Sequence, residues 1–406
     1  MRLRSPVVTG VGVLSAIGQG KDAFTAALRT GASAFGVLQR PGRQRESAYL
    51  GAEIGDLPCP PDLPRQRWRA ASLSAQAALV ALGEAWTEAG LNEVDPCRIG
   101  LVVGGSNVQQ RDLARVREAH GGSGTFVRPT YALSFMDSDL CGFCTAQFAI
   151  RGLAYTVGGA SASGQVALVQ AAQAVLTRQV DVCIALGALM DLSHFELRGF
   201  SAIGAMGSDR FADEPSRACR PFDQEHDGFI YGESCGAVVL ESEDSSARRG
   251  RTPYAALRGW GMAVDGNRNP DPSLEGEARA IRDALESAGW QPSQVDYVNP
   301  HGTGSVVGDE TELMALHACG LSGVRLNATK SLTGHGLTAA GVVETVATLL
   351  QMRVGWLHPT RNLERPIDSR FDWVAKEPVA HQVDRAMTLS MGFGGINTAL
   401  SWERIR

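Results

Sequence analysis

Short apolar, β-branched runs alternate along this chain with longer runs whose apolar residues recur at helical spacing. Residues 5–12 (SPVVTGVG), 98–105 (RIGLVVGG), 153–159 (LAYTVGG) and 180–188 (VDVCIALGA) read as strands buried on both faces. Between them, 21–31 (KDAFTAALRTG) and 73–91 (LSAQAALVALGEAWTEAGL) read as helices closing on glycine. The run 165–176 (QVALVQAAQAVL) is apolar nearly all round, which places its helix in the centre of the molecule. The second half repeats the alternation, with strands at 235–242, 294–300 and 323–329, helices at 310–320 and 338–353, and a glycine-turned hairpin over 386–403. The pattern predicts layered α/β architecture with a duplicated core, its N-terminal half over 1–242 and its C-terminal half over 243–406 of a single domain.

Composition changes this picture little. A chain of 406 residues, 44% hydrophobic and 20% charged, is long enough for a large core. Its net charge of -5 argues against nucleic acid as a partner. No stretch reaches the ~18 apolar residues of a membrane span, and the basic start MRLR lacks a processing site, so a cytoplasmic, non-membrane protein is expected. Residues 39–49 and 58–69 are the expected flexible surface. The eight cysteines lack framework spacing and read as free thiols. Cys141 and Cys144 form a CxxC without a second pair or a nearby histidine, so no metal site is expected.

Candidate chemistry concentrates in strand-end loops, where irregular backbone rests on a rigid scaffold. His301 follows an apolar strand in a Gly-rich turn leading to a helix that begins with Asp309, Glu310 and Glu312. Lys330 ends another strand, and His335 stands between Gly334 and Gly336, free of crowding. The segment 217–241 is suited to a folded connection packing under a site, with His226 a surface or loop-stabilising residue. Ser161, in GGASASG, partly matches the hydrolase elbow G-x-S-x-G, but Ser163 stands where the second glycine belongs. A helix N-cap is the competing reading for Ser161. The TGVG at 9–12 lacks the third glycine of a dinucleotide fingerprint.

Together these motifs resemble the β-ketoacyl synthases of fatty acid and polyketide assembly. The resemblance runs from VVTGVGVLSAIG through RPFD, DGF and HGTGS...GDETE to K with GH five residues on and the final GFGGIN. It implies a thiolase-like, five-layered α-β-α-β-α fold. It also implies two active-site histidines at His301 and His335, a lysine at Lys330 paired with the acid at Glu312, and a phenylalanine beside the reacting carbons at Phe393, followed by Gly394. Thr303 and Ser305 take the positions that contact the phosphopantetheine arm, and Asp309 supports the loop.

The family's nucleophilic cysteine is replaced by Ser161, and Gly159 replaces a threonine. A thiol accepts an acyl group from a thioester, whereas a serine needs a dedicated base. What remains is decarboxylation, with two imidazole N–H groups stabilising the enolate. The combination resembles the malonyl-acyl carrier protein decarboxylases of polyketide β-branching cassettes. That resemblance implies no cofactor of its own, a substrate on an acyl carrier protein, an HMG-CoA-synthase-like enzyme in the same pathway, and a homodimer. The alternatives are a Ser161-dependent acyltransferase or condensing enzyme, and a non-catalytic chain-length-factor-like subunit. The basic stretch RQRWR (65–69) is the candidate docking patch for an acidic carrier protein.

Overall fold

A computed structural model describes residues 5–45, 48–120, 127 and 129–405. The basic start at 1–4, and Glu46 and Ser47 of the expected flexible stretch, lie outside the described residues. In chain order the strands that form the frame are β1 (Pro6–Ser15), β2 (Ile99–Gly104), β3 (Ala154–Val157), β4 (Val182–Gly187), β5 (Ser234–Ser242) and β6 (Ala255–Val264). They continue as β7 (Tyr297–Asn299), β8 (Arg325–Leu326), β9 (Asp372–Trp373), β10 (Arg385–Gly392) and β11 (Ile396–Arg404). The principal helices are α1 (Lys21–Thr30), α2 (Leu73–Ala89), α3 (Ser163–Leu176), α4 (Leu274–Ala288), α5 (Val306–Ala318) and α6 (Ala340–Val354).

The strands hydrogen-bond in the order β9-β8-β7-β10-β11-β6-β1-β5-β4-β2-β3. Each half therefore repeats one scheme. Outward from β1 the sequence is β5, β4, β2, β3; outward from β6 it is β11, β10, β7, β8, with two antiparallel and then two parallel pairings in both. β1 and β6 meet antiparallel at the centre. Helix packing repeats as well. A Cβ on Gly12 of β1 would lie 1.9 Å from the Ala81 carbonyl oxygen of α2, and one on Gly261 of β6 would lie 1.9 Å from that of Ala280 in α4. Glycine is thus required where each outer helix presses on its strand, which accounts for the GxG that carries no dinucleotide. The division at 242/243 is our proposal from this repetition.

α3 and α6 lie between the halves: α3 packs on β2, β4 and β11, while α6 packs on β4, β5 and β10. Every residue from Ala340 to Met352 is buried, as the nearly uniform apolar character of such a helix requires. With α2 outside one half and α4 and α5 outside the other, the layers run α-β-α-β-α, the thiolase-like arrangement. Two strand expectations need correction. Residues 153–159 do not form a strand buried on both faces: β3 is the last strand of the sheet, and Ala154 and Tyr155 are exposed. The 323–329 run pairs only over Arg325–Leu326, because its remaining residues turn into the loop that carries Lys330. Among the described residues no helix is long and apolar enough to cross a membrane. Cys141 and Cys144 are free, buried thiols on one helix.

Candidate active site

β3 ends at Val157, and the chain then makes a tight turn before α3. The turn is a 3-10 element over Ala160–Ala162, with Ala160 at φ 47°, a left-handed conformation that a residue bearing a Cβ adopts only under constraint. Ser163 supplies part of that constraint, its hydroxyl donating to the Ala160 carbonyl at 2.7 Å and accepting the Gly159 N–H at 2.9 Å. α3 begins at Ser163, and Ser161 makes no capping bond, so the N-cap reading fails. The Ser161 hydroxyl instead lies 2.9 Å from Nε2 of His335.

The two histidines enter on the loops after β7 and β8. Their rings meet edge to face with centroids 5.5 Å apart, and the Phe229 ring abuts His335 at 5.2 Å. Each ring has its Nδ1 occupied by a donor. Leu337, held at φ 51°, points its N–H at Nδ1 of His335 at 3.4 Å, and the Lys330 ammonium stands 3.4 Å from Nδ1 of His301. A nitrogen that accepts cannot carry the ring proton, so we assign both imidazoles as Nε2–H tautomers. Burial and the neighbouring Lys330 ammonium hold both rings well below the usual imidazole range, hence neutral.

The resemblance paired Lys330 with Glu312, and the structure corrects this. The Lys330 ammonium bonds Glu344 of α6 at 2.5 Å, both side chains being almost wholly buried, and it also donates to the His301 carbonyl. Glu312 is occupied elsewhere: its two oxygens accept the N–H groups of His301 (2.5 Å) and Gly302 (2.8 Å). Asp309 does the same for Phe222 (2.6 Å) and Gly304 (3.0 Å). Burial pushes both carboxyls up to about 7 against the pull of these donors.

Ser161, His301, His335, Thr303, Ser305 and Phe393 line one cavity of about 470 Å³, together with Met190, Phe200, Phe229, Glu277 and Asn397. This is the size of a small-ligand site. The hydroxyls of Thr303 and Ser305 bond each other at 3.0 Å, and the partly exposed Phe393 ring lies 6.2 Å from that of Phe200. Gly394 does not line the cavity; at φ 88° it forms the hairpin turn, and Gly392 and Gly395 face the space instead. The 217–241 connection packs beneath the loops, Gly228 donating to the Gly304 carbonyl, while His226 is buried rather than at the surface. A larger hollow of about 890 Å³ is open, and its arginines 251, 258, 385 and 404 are all engaged by carboxylates.

Sequence reasoning missed Glu344, Glu277, Phe229 and Leu337. A glutamate inside the otherwise apolar run TAAGVVETVATLL signals a buried partner, so Glu344 was within reach. Glu277, buried with Oε2 lacking any hydrogen-bond partner, sits in an ordinary amphipathic helix. The role of Leu337 rests on a backbone angle that no residue type announces.

A duplicated α-β-α-β-α fold with two histidine loops facing a helix-head turn defines a condensing-enzyme class. Residues 4–246 match the Beta-ketoacyl synthase, N-terminal domain, and 254–364 the Beta-ketoacyl synthase, C-terminal domain; the chain belongs to the β-ketoacyl synthase family. Within it, the chain is 59% identical over 399 residues to the polyketide biosynthesis malonyl-ACP decarboxylase PksF of Bacillus subtilis (strain 168), covering 98% of this chain and 96% of that protein. Among solved structures, a β-ketoacyl synthase from Burkholderia phymatum STM815 superposes with a TM-score of 0.90 at 29% identity, covering 99% of this chain and 100% of that one. The AntDE:AntF complex, a type II PKS acyl-carrier protein with its ketosynthase, gives 0.87 at 26% identity, with full coverage of both chains.

Proposed function

We propose that this protein converts malonyl-acyl carrier protein to acetyl-acyl carrier protein and CO2 in polyketide biosynthesis. The near full-length likeness to PksF supports the reaction, and the carrier-protein complex among the structural relatives supports the form of the substrate. The substrate's phosphopantetheine arm would pass Thr303 and Ser305 and place the thioester oxygen before the two histidines. As the C–C bond breaks, negative charge moves onto that oxygen. Two fixed Nε2–H donors in a largely buried site stabilise it without reorganising. Lys330, held by Glu344, orients His301, and Glu312 fixes the backbone of the His301 loop.

The observation that carries this reading is the pair of neutral Nε2–H groups facing a cavity whose nucleophile position holds a serine without a base. With the tautomer assigned above, His335 Nε2 donates to Ser161 and does not deprotonate it. That disfavours the acyltransferase alternative, and a preserved donor pair disfavours a non-catalytic subunit. The test is mass spectrometry of a malonyl-loaded carrier protein: the bound group should lose CO2, and an unchanged mass would end the proposal.

The remaining partners are also proposed. Acetyl product would pass to an HMG-CoA-synthase-like enzyme of the same cytoplasmic pathway. The exposed Arg65, Arg67 and Arg69 of the short helix Arg65–Ala70 form the patch suited to an acidic carrier. The free outer edge of β3 suits pairing with a second copy in a homodimer.

A further inference from the structure

Losing CO2 is half of the reaction. The enolate must then take one proton at its α-carbon, because the balance is malonyl thioester carboxylate plus one proton giving acetyl thioester plus CO2. Resting on the decarboxylase reading above, we propose that the Ser161 hydroxyl is the general acid that delivers this proton, with His335 supporting the serine oxygen as it does so.

Position comes first. Ser161 Oγ lies 2.9 Å from Nε2 of His335, the nitrogen that the decarboxylase reading turns to the thioester oxygen, and the α-carbon is two covalent bonds from that oxygen. Through His335 the serine is therefore two hydrogen bonds and two covalent bonds from the atom to be protonated, and the bend of that path brings its hydroxyl toward the α-carbon. Its orientation is fixed by the constrained turn: Ala160 at φ 47°, the two hydrogen bonds of Ser163, and β10 packed so closely that a Cβ on Gly392 would lie 2.2 Å from the Gly159 carbonyl oxygen.

The proton donors and carboxyls nearest the two histidines are engaged elsewhere. Both Nε2–H groups serve the enolate oxygen, and the Lys330 ammonium is bound to Glu344 and the His301 loop. Asp309 and Glu312 turn their oxygens to backbone N–H groups. Glu277 lines the cavity with an unpartnered oxygen but has no hydrogen bond to Ser161 or to either histidine. With the His335 N–H turned to the enolate oxygen, the Ser161 hydroxyl keeps its own proton to give.

The transfer balances. The enolate C=C electrons take the Ser161 proton and form the new C–H bond; the oxyanion becomes the thioester carbonyl; the charge passes to Ser161 Oγ. An alcohol is a stronger acid than a thioester α-carbon, so the step runs downhill. At that moment the His335 N–H is released from the carbonyl oxygen and can hold the serine alkoxide, which regains a proton from solvent water. The feature that makes Ser161 a poor nucleophile, a histidine that donates to it rather than accepting from it, is what suits it to this role.

The experiment follows the fate of the enolate. Malonyl-carrier protein is turned over in 13C-bicarbonate with carbonic anhydrase, and unreacted substrate is examined by mass spectrometry for 13C in its carboxyl group. The native enzyme should protonate faster than it recaptures CO2 and leave the substrate unlabelled. Ser161→Ala should turn over ~10²-fold more slowly, within the range of a lost general acid, and wash label into the malonyl group. A native rate for Ser161→Ala, or a slowed rate without label, would overturn the proposal. A native enzyme that releases no CO2 would remove the decarboxylase reading itself, whereas the other outcomes leave it standing.

Discussion

His335 carries an unusual share of the site's logic on one ring. Its Nδ1 meets the Leu337 N–H and its Nε2 meets Ser161, so a single tautomer decides both what is stabilised and what is not activated. Removing one such donor should cost about 10²–10³ in kcat; steady-state rates of His335→Ala on malonyl-carrier protein check this. The acid side of the pH profile should belong to the carboxyls rather than the imidazoles. Both rings are held well below the usual range, whereas Glu312 is pushed up to about 7. Its ionised form accepts the His301 and Gly302 N–H groups, so kcat/KM should fall as pH drops through about 7, and Glu312→Gln should weaken that limb while Asp309, also pushed up to about 7, carries the rest. The identities of these residues were legible in HGTGS and TGHG. The tautomers were not, because they depend on which donors the fold brings to each Nδ1.

At the scale of elements, the site is a meeting of three strand ends under a buried helix. The Ser161 turn is clamped by β10, and Gly392→Ala would force backbone apart, since its Cβ would fall 2.2 Å from the Gly159 oxygen. We expect a loss of about 1–3 kcal/mol, read by denaturant unfolding, with a matching fall in decarboxylation because Ser161 shifts from His335. The Lys330–Glu344 pair ties the loop after β8 to α6 with both side chains buried. Lys330→Ala leaves Glu344 buried without its cation and should destabilise by about 3–5 kcal/mol, measured the same way. Periodicity revealed these helices and most strands, but the sequence-based pairing of Lys330 with Glu312 failed. Sequence places Glu312 on the helix that follows His301; only packing shows that its oxygens are taken by backbone and that Glu344 arrives from another layer.

At the scale of the whole molecule, β3 leaves a free edge with Tyr155 exposed, at one end of the sheet. An exposed edge of this kind invites pairing with another chain. Sedimentation should give a dimer for the native protein, and Tyr155→Asp should shift it toward monomer. The sequence by itself determined the alternation of strands and helices, the all-round apolar segment 165–176 that becomes part of the central layer, the family, and the replacement of a thiol by Ser161, because each is written in residue type and local spacing. Tertiary structure alone decided that β3 is an edge, that Glu344 rather than Glu312 holds Lys330, and that both imidazoles line one cavity with a donor near each Nδ1. These depend on contacts between residues far apart in the chain, such as Ser161 with His335 and Gly159 with Gly392, and it is packing across layers, not local pattern, that brings such pairs within ångströms of each other.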